Sequence, residues 1–278
     1  MNVLSIQSAV AYGHVGNSAA TLPLQRLGFN VWPVDTVHFS NQPAHGTWRG
    51  RVIEPAAIGE VIAGLEELDM LATCTAVLTG YLGDPGTGDV VEDTVKRVKA
   101  ANPDAIYCCD PVMGDFATGL YVKPGLPEFF RDRAVPSADI VTPNAFELAH
   151  LTDLPIDTED AALAAARALH AMGAGLVVAT GLRFDKEMQL LAVSADEAWR
   201  IRTPFLESAD QGAGDTFSAL FLGWYLKFGA VQTALENAVA AIHAVMAETA
   251  RTNDKELRLV ATQEAFVAPT VRFVAERV

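Results

Sequence analysis

The chain reads as one α/β domain of three layers, with a mainly parallel central sheet, helices covering both faces and an antiparallel hairpin added at one edge. Two observations predict it. Short apolar runs of strand length alternate with amphipathic helical segments from end to end, the pattern of βαβ units whose strands are buried on both faces. The 278 residues also contain no internal repeat, low-complexity tract or charge block where a linker would fall, so a single domain, 1–278, takes the whole chain.

Val3 to Ile6 forms the first strand, with no basic stretch and longer apolar core ahead of it, so no secretory leader is expected. A helix over 17–27 leads to the second strand, Val31 to Val37. Helix 55–68, strand Ala76 to Leu78, helix 87–101 and strand Ala105 to Cys109 continue the alternation. Strands Ile140 to Thr142 and Leu176 to Ala179 flank a helix over 158–172, which opens at Asp157 or Thr158 and closes at Gly173. Met188 to Val193 and Ala198 to Ile201 break the rhythm, and the Ser194-Ala195-Asp196-Glu197 turn between them predicts the edge hairpin. Two consecutive helices follow, 213–227 and 230–251. The second presents Val231, Ala234, Leu235, Ala238, Val239 and Ile242 on one face as core packing.

Twenty Lys plus Arg face 34 Asp plus Glu, a formal net charge of −14 that repels nucleic acid and anionic lipid. Half of the residues are hydrophobic, yet no apolar run reaches the roughly 20 residues that span a bilayer, so a cytoplasmic protein is expected. Cys74, Cys108 and Cys109 have neither metal-ligand spacing nor an even disulfide count, and are expected to be small buried hydrophobes. A polyphosphate bound by this chain needs local positive charge from backbone amides, a metal or a few placed cations, because the global field opposes it.

Ligands of open α/β sheets bind beyond the carboxyl ends of the strands. The loops there carry the chemistry. Ser8 and Tyr12 to Ser18 follow the first strand; His38 to Trp48 follow the second and, with Pro43 and Gly46, suit a lid over about 40–50. Gly80 to Asp84, Asp110 to Asp115, Thr142 to Glu147 and Thr180-Gly181 follow the later strands. The most informative stretch is Asp210 to Ala219. Gly212 and Gly214 lie at the N-terminus of a helix, where unpaired amides, macrodipole and small side chains describe a phosphate cradle, and Asp215 in its middle is a candidate phosphoryl-transfer base. An Asp cap after a glycine turn explains the same residues.

Asp110, Asp115, Asn144 and Glu147 offer the oxygen donors that magnesium prefers. Read locally, Asp110-Pro111 is a turn after a strand and Asn144-x-x-Glu147 a capping box. Alone these residues favour the cap; beside a phosphate cradle they favour the cation. His14, His38 and His45 contain no i, i+4 pair, so substrate contact or loop polarity fits them better than metal ligation. Tyr81 and Trp48 suit either stacking on a planar ring or partial burial. There is no Gly-x-x-x-x-Gly-Lys-Ser/Thr loop and no dinucleotide fingerprint after the first strand.

Gly212-Ala213-Gly214-Asp215 opening a late helix resembles the signature of the ribokinase superfamily, and Asn144-x-x-Glu147 resembles its magnesium and phosphate motif. Ile6-Gln7-Ser8, Tyr12 to Ala20, Pro23 to Gly28, Val31-Trp32-Pro33 and Thr36 to Asn41 closely resemble pyridoxal kinase, and Gly80 to Gly83, Asp110 to Gly114 and Ala195 to Trp199 extend the likeness. The resemblance implies a ribokinase-like fold and ATP-dependent phosphorylation of the 5′-hydroxymethyl of pyridoxal, with pyridoxine or pyridoxamine, in vitamin B6 salvage. It also implies magnesium, with room for a monovalent cation such as K+, and a homodimer. By it Asp215 is the base, and Gly212, Ala213 and Gly214 form the anion hole. Ser8, Val15 and Tyr81 would surround the pyridine ring, under a lid carrying Asn41, Pro43, Ala44 and His45. ATP would lie along Asp110, Thr142, Asn144, Glu147, Thr180, Gly181 and the segment Thr203, Pro204, Phe205, Leu206, with its γ-phosphate at Gly212 and Gly214. The metal would sit by Asp110, Asp115 and Glu147.

Two positions depart from that pattern. Pro43-Ala44 replaces a polar Thr-Gln-like pair carried by many bacterial pyridoxal kinases, removing a hydrogen bond worth about 1 kcal/mol and bearing on the choice among aldehyde, alcohol and amine. Thr180 replaces a lysine, as in the sugar-kinase branch, which removes a phosphate cation. A hydroxymethylpyrimidine kinase is the nearest alternative, although that branch carries a cysteine in the late glycine motif. A sugar or nucleoside kinase matches the N-terminal third less well. A non-catalytic B6-binding protein has no need of Asp215, Glu147 or the glycine cradle.

Overall fold

The computed structural model describes all 278 residues. The chain opens with β1 (Asn2–Tyr12), α1 (Asn17–Arg26), β2 (Asn30–Asn41), β3 (Gly50–Val52) and α2 (Pro55–Glu67). β4 (Cys74–Thr79), α3 (Pro85–Ala101) and β5 (Ile106–Cys109) complete the expected N-terminal alternation. Then come β6 (Gly114–Asp115), β7 (Gly119–Leu120), α4 (Leu126–Phe129), α5 (Val135–Ser137), β8 (Ile140–Val141), α6 (Ala145–Thr152) and α7 (Glu159–Ala171). The last third holds β9 (Leu176–Phe184), β10 (Glu187–Val193), β11 (Ala198–Pro204), α8 (Ala213–Phe228), α9 (Val231–Thr252) and β12 (Glu276–Arg277).

Ten strands form one sheet in the order β12-β11-β10-β9-β8-β5-β4-β1-β2-β3. The six from β9 to β2 in that order pair in parallel, while β10, β11 and β12 add the antiparallel edge and β3 caps the other side. Successive strand residues point to opposite faces, so each strand feeds two cores. Leu4, Val77, Cys109, Val141 and Val177 join Ile58 of α2, Val95 of α3, Leu148 of α6 and Ala165 of α7 in one. Val3, Leu78, Cys108, Ile140 and Val178 join Leu24 of α1, Phe221 of α8 and Val239 of α9 in the other. The three cysteines are buried and unpaired, as expected. No helix is long and apolar enough to cross a membrane.

β1 and β2 run well past the apolar segments read from sequence. Their outer halves carry polar and exposed residues, His38, Ser40 and Tyr12 among them, and are held as strands by mutual pairing from Ala9↔His38 to Tyr12↔Asn41. Hydropathy gives no sign of such a strand. Five further short elements were not anticipated, β3, the β6–β7 hairpin, α4, α5 and β12, while α6 was signalled only by its capping box. The strands among them have two or three residues, too few for a period to register, and α6 spans only about two turns behind its capping box.

Phe221 is fully enclosed between α8 and the sheet, so Phe221→Ala is expected to cost about 3–5 kcal/mol, read as a lower urea midpoint at unchanged m-value. His243 on α9 is half-buried with neither ring nitrogen hydrogen-bonded, and its ring meets Phe273 edge-on at 4.8 Å. Burial holds its pKa below the ordinary value of 6.5. The unfolded chain therefore binds the proton more readily, and stability is lost as pH falls through about 6.5. His243→Leu is expected to flatten the fall in Tm between about pH 7 and 5, and an unchanged slope would exclude His243 as its source.

Candidate active site

The parallel strands deliver the predicted residues to one end of the sheet: Ser8 in β1, Tyr81 after β4, Asp110 after β5, Thr142 after β8 and Thr180 in β9. Ser8 falls where the β1–β2 register shifts between Gln7 and Ala9, an irregularity that re-aims a strand side chain. α8 brings the late glycine motif to the same end. Gly212 caps that helix with φ +83°, and a Cβ there would lie 1.7 Å from the His14 carbonyl oxygen and 3.5 Å from Val15 Cα. Only glycine meets both demands. Asp215 thus sits in the first turn of α8, against the loop that follows β1. The Ala213 amide already donates to the Asp210 carbonyl at 2.9 Å, so among the three cradle residues Ala213 has its amide engaged.

Asp110 and Glu147 are buried, and Asp215 is half-buried. Ser218, one turn along α8 from Asp215, donates to Asp110 Oδ2 at 3.0 Å and lies 2.8 Å from the Thr142 hydroxyl. With Asp110 ionised, Ser218 donates to it and accepts from Thr142, since each hydroxyl has one proton to give. Glu147 accepts from the Met113 amide (3.0 Å) and the Asn144 amide (2.8 Å), while the Asn144 side chain accepts from the Glu147 amide (2.9 Å). The capping-box reading therefore holds locally. Asn144 Nδ2 also reaches the Gly114 carbonyl at 2.9 Å, tying the box to the β6–β7 hairpin.

Burial pushes the Glu147 carboxyl up to about 8, against the amides of Asn144, Met113 and Gly114, with the Asp215 charge adding to the rise. Burial raises Asp110 well above the carboxylate range, and the charges of Glu147 and Asp215 add to it. Asp215 is raised by burial and partly relieved by the Gly16 amide. None of the three forms an ion pair with a Lys, Arg or His. Crowded oxygen donors without a counter-charge fit a hard divalent cation such as magnesium. No three acidic side chains converge closely enough to ligate an ion on their own, and both Glu147 oxygens already accept amides, so such an ion fits here with water in most of its coordination shell. Asp115 is engaged differently: its Oδ1 accepts from the Ala117 and Thr118 amides at 2.8 and 2.7 Å and shapes the hairpin turn.

On the other flank, Tyr81 is half-buried, 6.4 Å between ring centroids from Tyr121. Tyr121 was not singled out from sequence. It is 47% exposed, and its amide donates to the Met113 carbonyl at 3.0 Å, on the residue whose own amide holds Glu147, which sets it beside the carboxylates. In the lid, Asn41 Nδ2 donates to the Thr47 carbonyl at 2.8 Å, closing the loop's base, while Pro43 and Ala44 are exposed on a single 3-10 turn, Pro43–His45. Trp48 packs on Phe39 at 4.2 Å and stays 45% exposed, which is the partial-burial reading. His38 is exposed and lies 3.7 Å from Asp35; His45 instead meets Glu256, at 2.6 Å. Among the residues expected along the nucleotide, Thr180 bridges to Asn144, Gly181 is exposed, and Thr203 is buried at the end of β11. Beyond Pro204 and before Leu206, the Phe205 amide bonds the Lys186 carbonyl (3.0 Å) and its ring lies 3.8 Å under the Arg183 guanidinium. Ser218, Tyr121 and Glu256 are the site residues that sequence reading missed. None has a motif of its own, and each is recruited by a contact with an element distant in sequence.

Residues 52–259 match the family model described as phosphomethylpyrimidine kinase. The chain is 48% identical over its full length to a pyridoxal kinase PdxY of Rubrobacter xylanophilus, covering 98% of it, and 48% identical to that of Leifsonia xyli, with both chains wholly covered. Its backbone superposes on the pyridoxal kinase of Leishmania donovani, solved in complex with ADP and pyridoxamine, with a TM-score of 0.94 at 28% identity, covering 100% of this chain and 99% of that one. Full-length identity at this level, joined to a shared backbone, means that the chain belongs to the pyridoxal kinase family.

Proposed function

We propose that this chain transfers the γ-phosphoryl group of ATP to the 5′-hydroxymethyl of pyridoxal, and of pyridoxine or pyridoxamine, to form the 5′-phosphate in vitamin B6 salvage. The observation that carries it is Asp215 in the first turn of α8, seated against the loop after β1 and facing Asp110 and Glu147 across the strand ends. The related Leishmania kinase holds ADP and a B6 vitamer together on the same backbone, which supports both substrates. The family model's description, phosphomethylpyrimidine kinase, favours a substituted pyrimidine as a second substrate reading; full-length identity to pyridoxal kinases outweighs it.

In this reading Ser8, Val15 and Tyr81 hold the pyridine ring and the Asn41–His45 turn closes over it. Phosphoryl transfer through a loose transition state leaves the hydroxyl proton in place until late, so orientation and charge neutralisation dominate the rate. Asp215 orients the hydroxymethyl oxygen and takes its proton, a task helped by the burial that raises its pKa. The N-terminal dipole of α8, with Gly212 and Gly214, faces the charge on the transferring group. Thr142, Thr180, Gly181 and Thr203 to Leu206 line the nucleotide, and Ser218 keeps Asp110 oriented. Magnesium, held by Asp110 and Glu147 with Asp115 nearby, supplies neutralising charge to the polyphosphate when bound. A cytoplasmic homodimer completes the reading, the assembly being checked by light scattering on the purified protein.

Asp215→Ala is expected to abolish ADP release with pyridoxal while pyridoxal affinity stays within a few-fold by calorimetry; turnover like the wild type would remove Asp215 from the mechanism. Chelation of divalent ions should stop turnover and magnesium should restore it. An ADP-release assay across pyridoxal, pyridoxine, pyridoxamine, hydroxymethylpyrimidine and ribose tests the whole reading, and silence with every B6 vitamer would sink it.

A further inference from the structure

Glu256 belongs to none of the motifs that define the site, yet it is only 9% exposed and both of its oxygens serve loops on the vitamer side. Oε2 accepts the His14 amide at 3.1 Å and Oε1 lies 2.6 Å from His45 Nε2. A carboxylate can only accept, so His45 presents Nε2–H to it. Gly13 makes the approach possible, because a Cβ there would stand 2.5 Å from Oε2. The segment carrying Glu256 is itself firm: Leu257 and Leu259 are buried in the core beneath α9, and the Arg258 amide donates to Thr249 Oγ1 at 3.1 Å.

The lid makes its other hydrogen bonds internally. Asn41 reaches Thr47, Ser40 reaches Arg49, and the His45 and Gly46 amides reach Gln42 and Pro43. Pro43 and Ala44 have no polar side-chain atom with which to fix the tip. Beyond the bonds that Asn41 of β2 makes at the lid's base, the bond from His45 to Glu256 is the one side-chain hydrogen bond that ties the tip, residues 43–46, to another part of the fold. The same carboxylate fixes the His14 turn, on whose carbonyl Gly212 packs.

We propose that Glu256 is a positioning residue for the vitamer: one buried carboxylate sets the lid tip and the Tyr12–Val15 turn in a common register, giving the lid the polar anchor that Pro43-Ala44 cannot supply. The inference rests on the pyridoxal kinase reading and extends it to a residue outside the motifs. It concerns the vitamer and not the nucleotide, so it separates the two substrates.

The test compares wild type, Glu256→Ala, Glu256→Gln and His45→Ala. Glu256→Ala is expected to raise KM for pyridoxal about tenfold or more, with KM for ATP within about twofold, and to speed tryptic cleavage after the exposed Arg49 and Arg51 of the lid. Glu256→Gln should recover most of the pyridoxal affinity, since its oxygen can serve the His14 amide while its NH2 meets His45 in the other tautomer. His45→Ala cuts the lid bond without touching the turn, and should raise the pyridoxal KM alone. An unchanged pyridoxal KM in both alanine variants, or an equal rise for both substrates, overturns the proposal. Should Glu256→Ala not fold, His45→Ala decides by the same readouts. No pyridoxal turnover by the wild type would sink the parent reading instead, and equal tryptic rates in all four proteins would then overturn the anchor as well.

Discussion

The site depends on one steric fact: the backbone of the first loop and the N-terminus of a helix some two hundred residues later occupy neighbouring space that admits no side chain between them. Gly212, at φ +83° and against the His14 carbonyl, is where this is resolved. The contact places Asp215, the proposed base, beside the loop after β1, on the side proposed for the vitamer. On the far side of Asp215, one further turn of α8 places Ser218 on Asp110, so the same helix also reaches the carboxylates proposed to face the nucleotide. A larger residue at 212 would displace the helix from the loop, and base, ring site and phosphate site would part together.

The second constraint is electrostatic. A chain of net charge −14 crowds Asp110, Glu147 and Asp215 into one end of a sheet without a cation among them. Burial alone disfavours their ionised forms, and their mutual repulsion disfavours them further. A proton or a cation relieves such an arrangement, and the donor set suits a hard ion. The amide bonds to Glu147 hold its carboxylate in place meanwhile, which is how a helix cap and a site residue come to be the same side chain. The two readings of Asn144-x-x-Glu147 were therefore never exclusive.

Much of the fold was legible because it rests on period. Strands buried on both faces leave continuous apolar runs, and Val3 to Ile6 or Leu176 to Ala179 announce themselves. The outer half of β2 does not, because its pairing is made by backbone that hydropathy does not report. The hairpin bearing Tyr121 was invisible for a similar reason: its strands are two residues long. Asp115 and Glu147 looked alike as oxygen donors in the sequence. In the structure one makes a hairpin turn and the other is sealed beneath a helix cap, since burial is set by neighbours and not by residue type.

The sequence by itself determined the class of fold, the end of the sheet where the candidate residues gather and the motif that carries the proposed base, because these follow from residue period, glycine placement and chain order. Only the tertiary structure decided that Gly212 rests on the His14 turn, that Ser218 and Tyr121 join the carboxylates, and that Glu256 ties the lid to the body of the protein. Each is a meeting of segments far apart in the chain, made by packing two cores against one sheet, and no local pattern encodes which side chains such packing brings together.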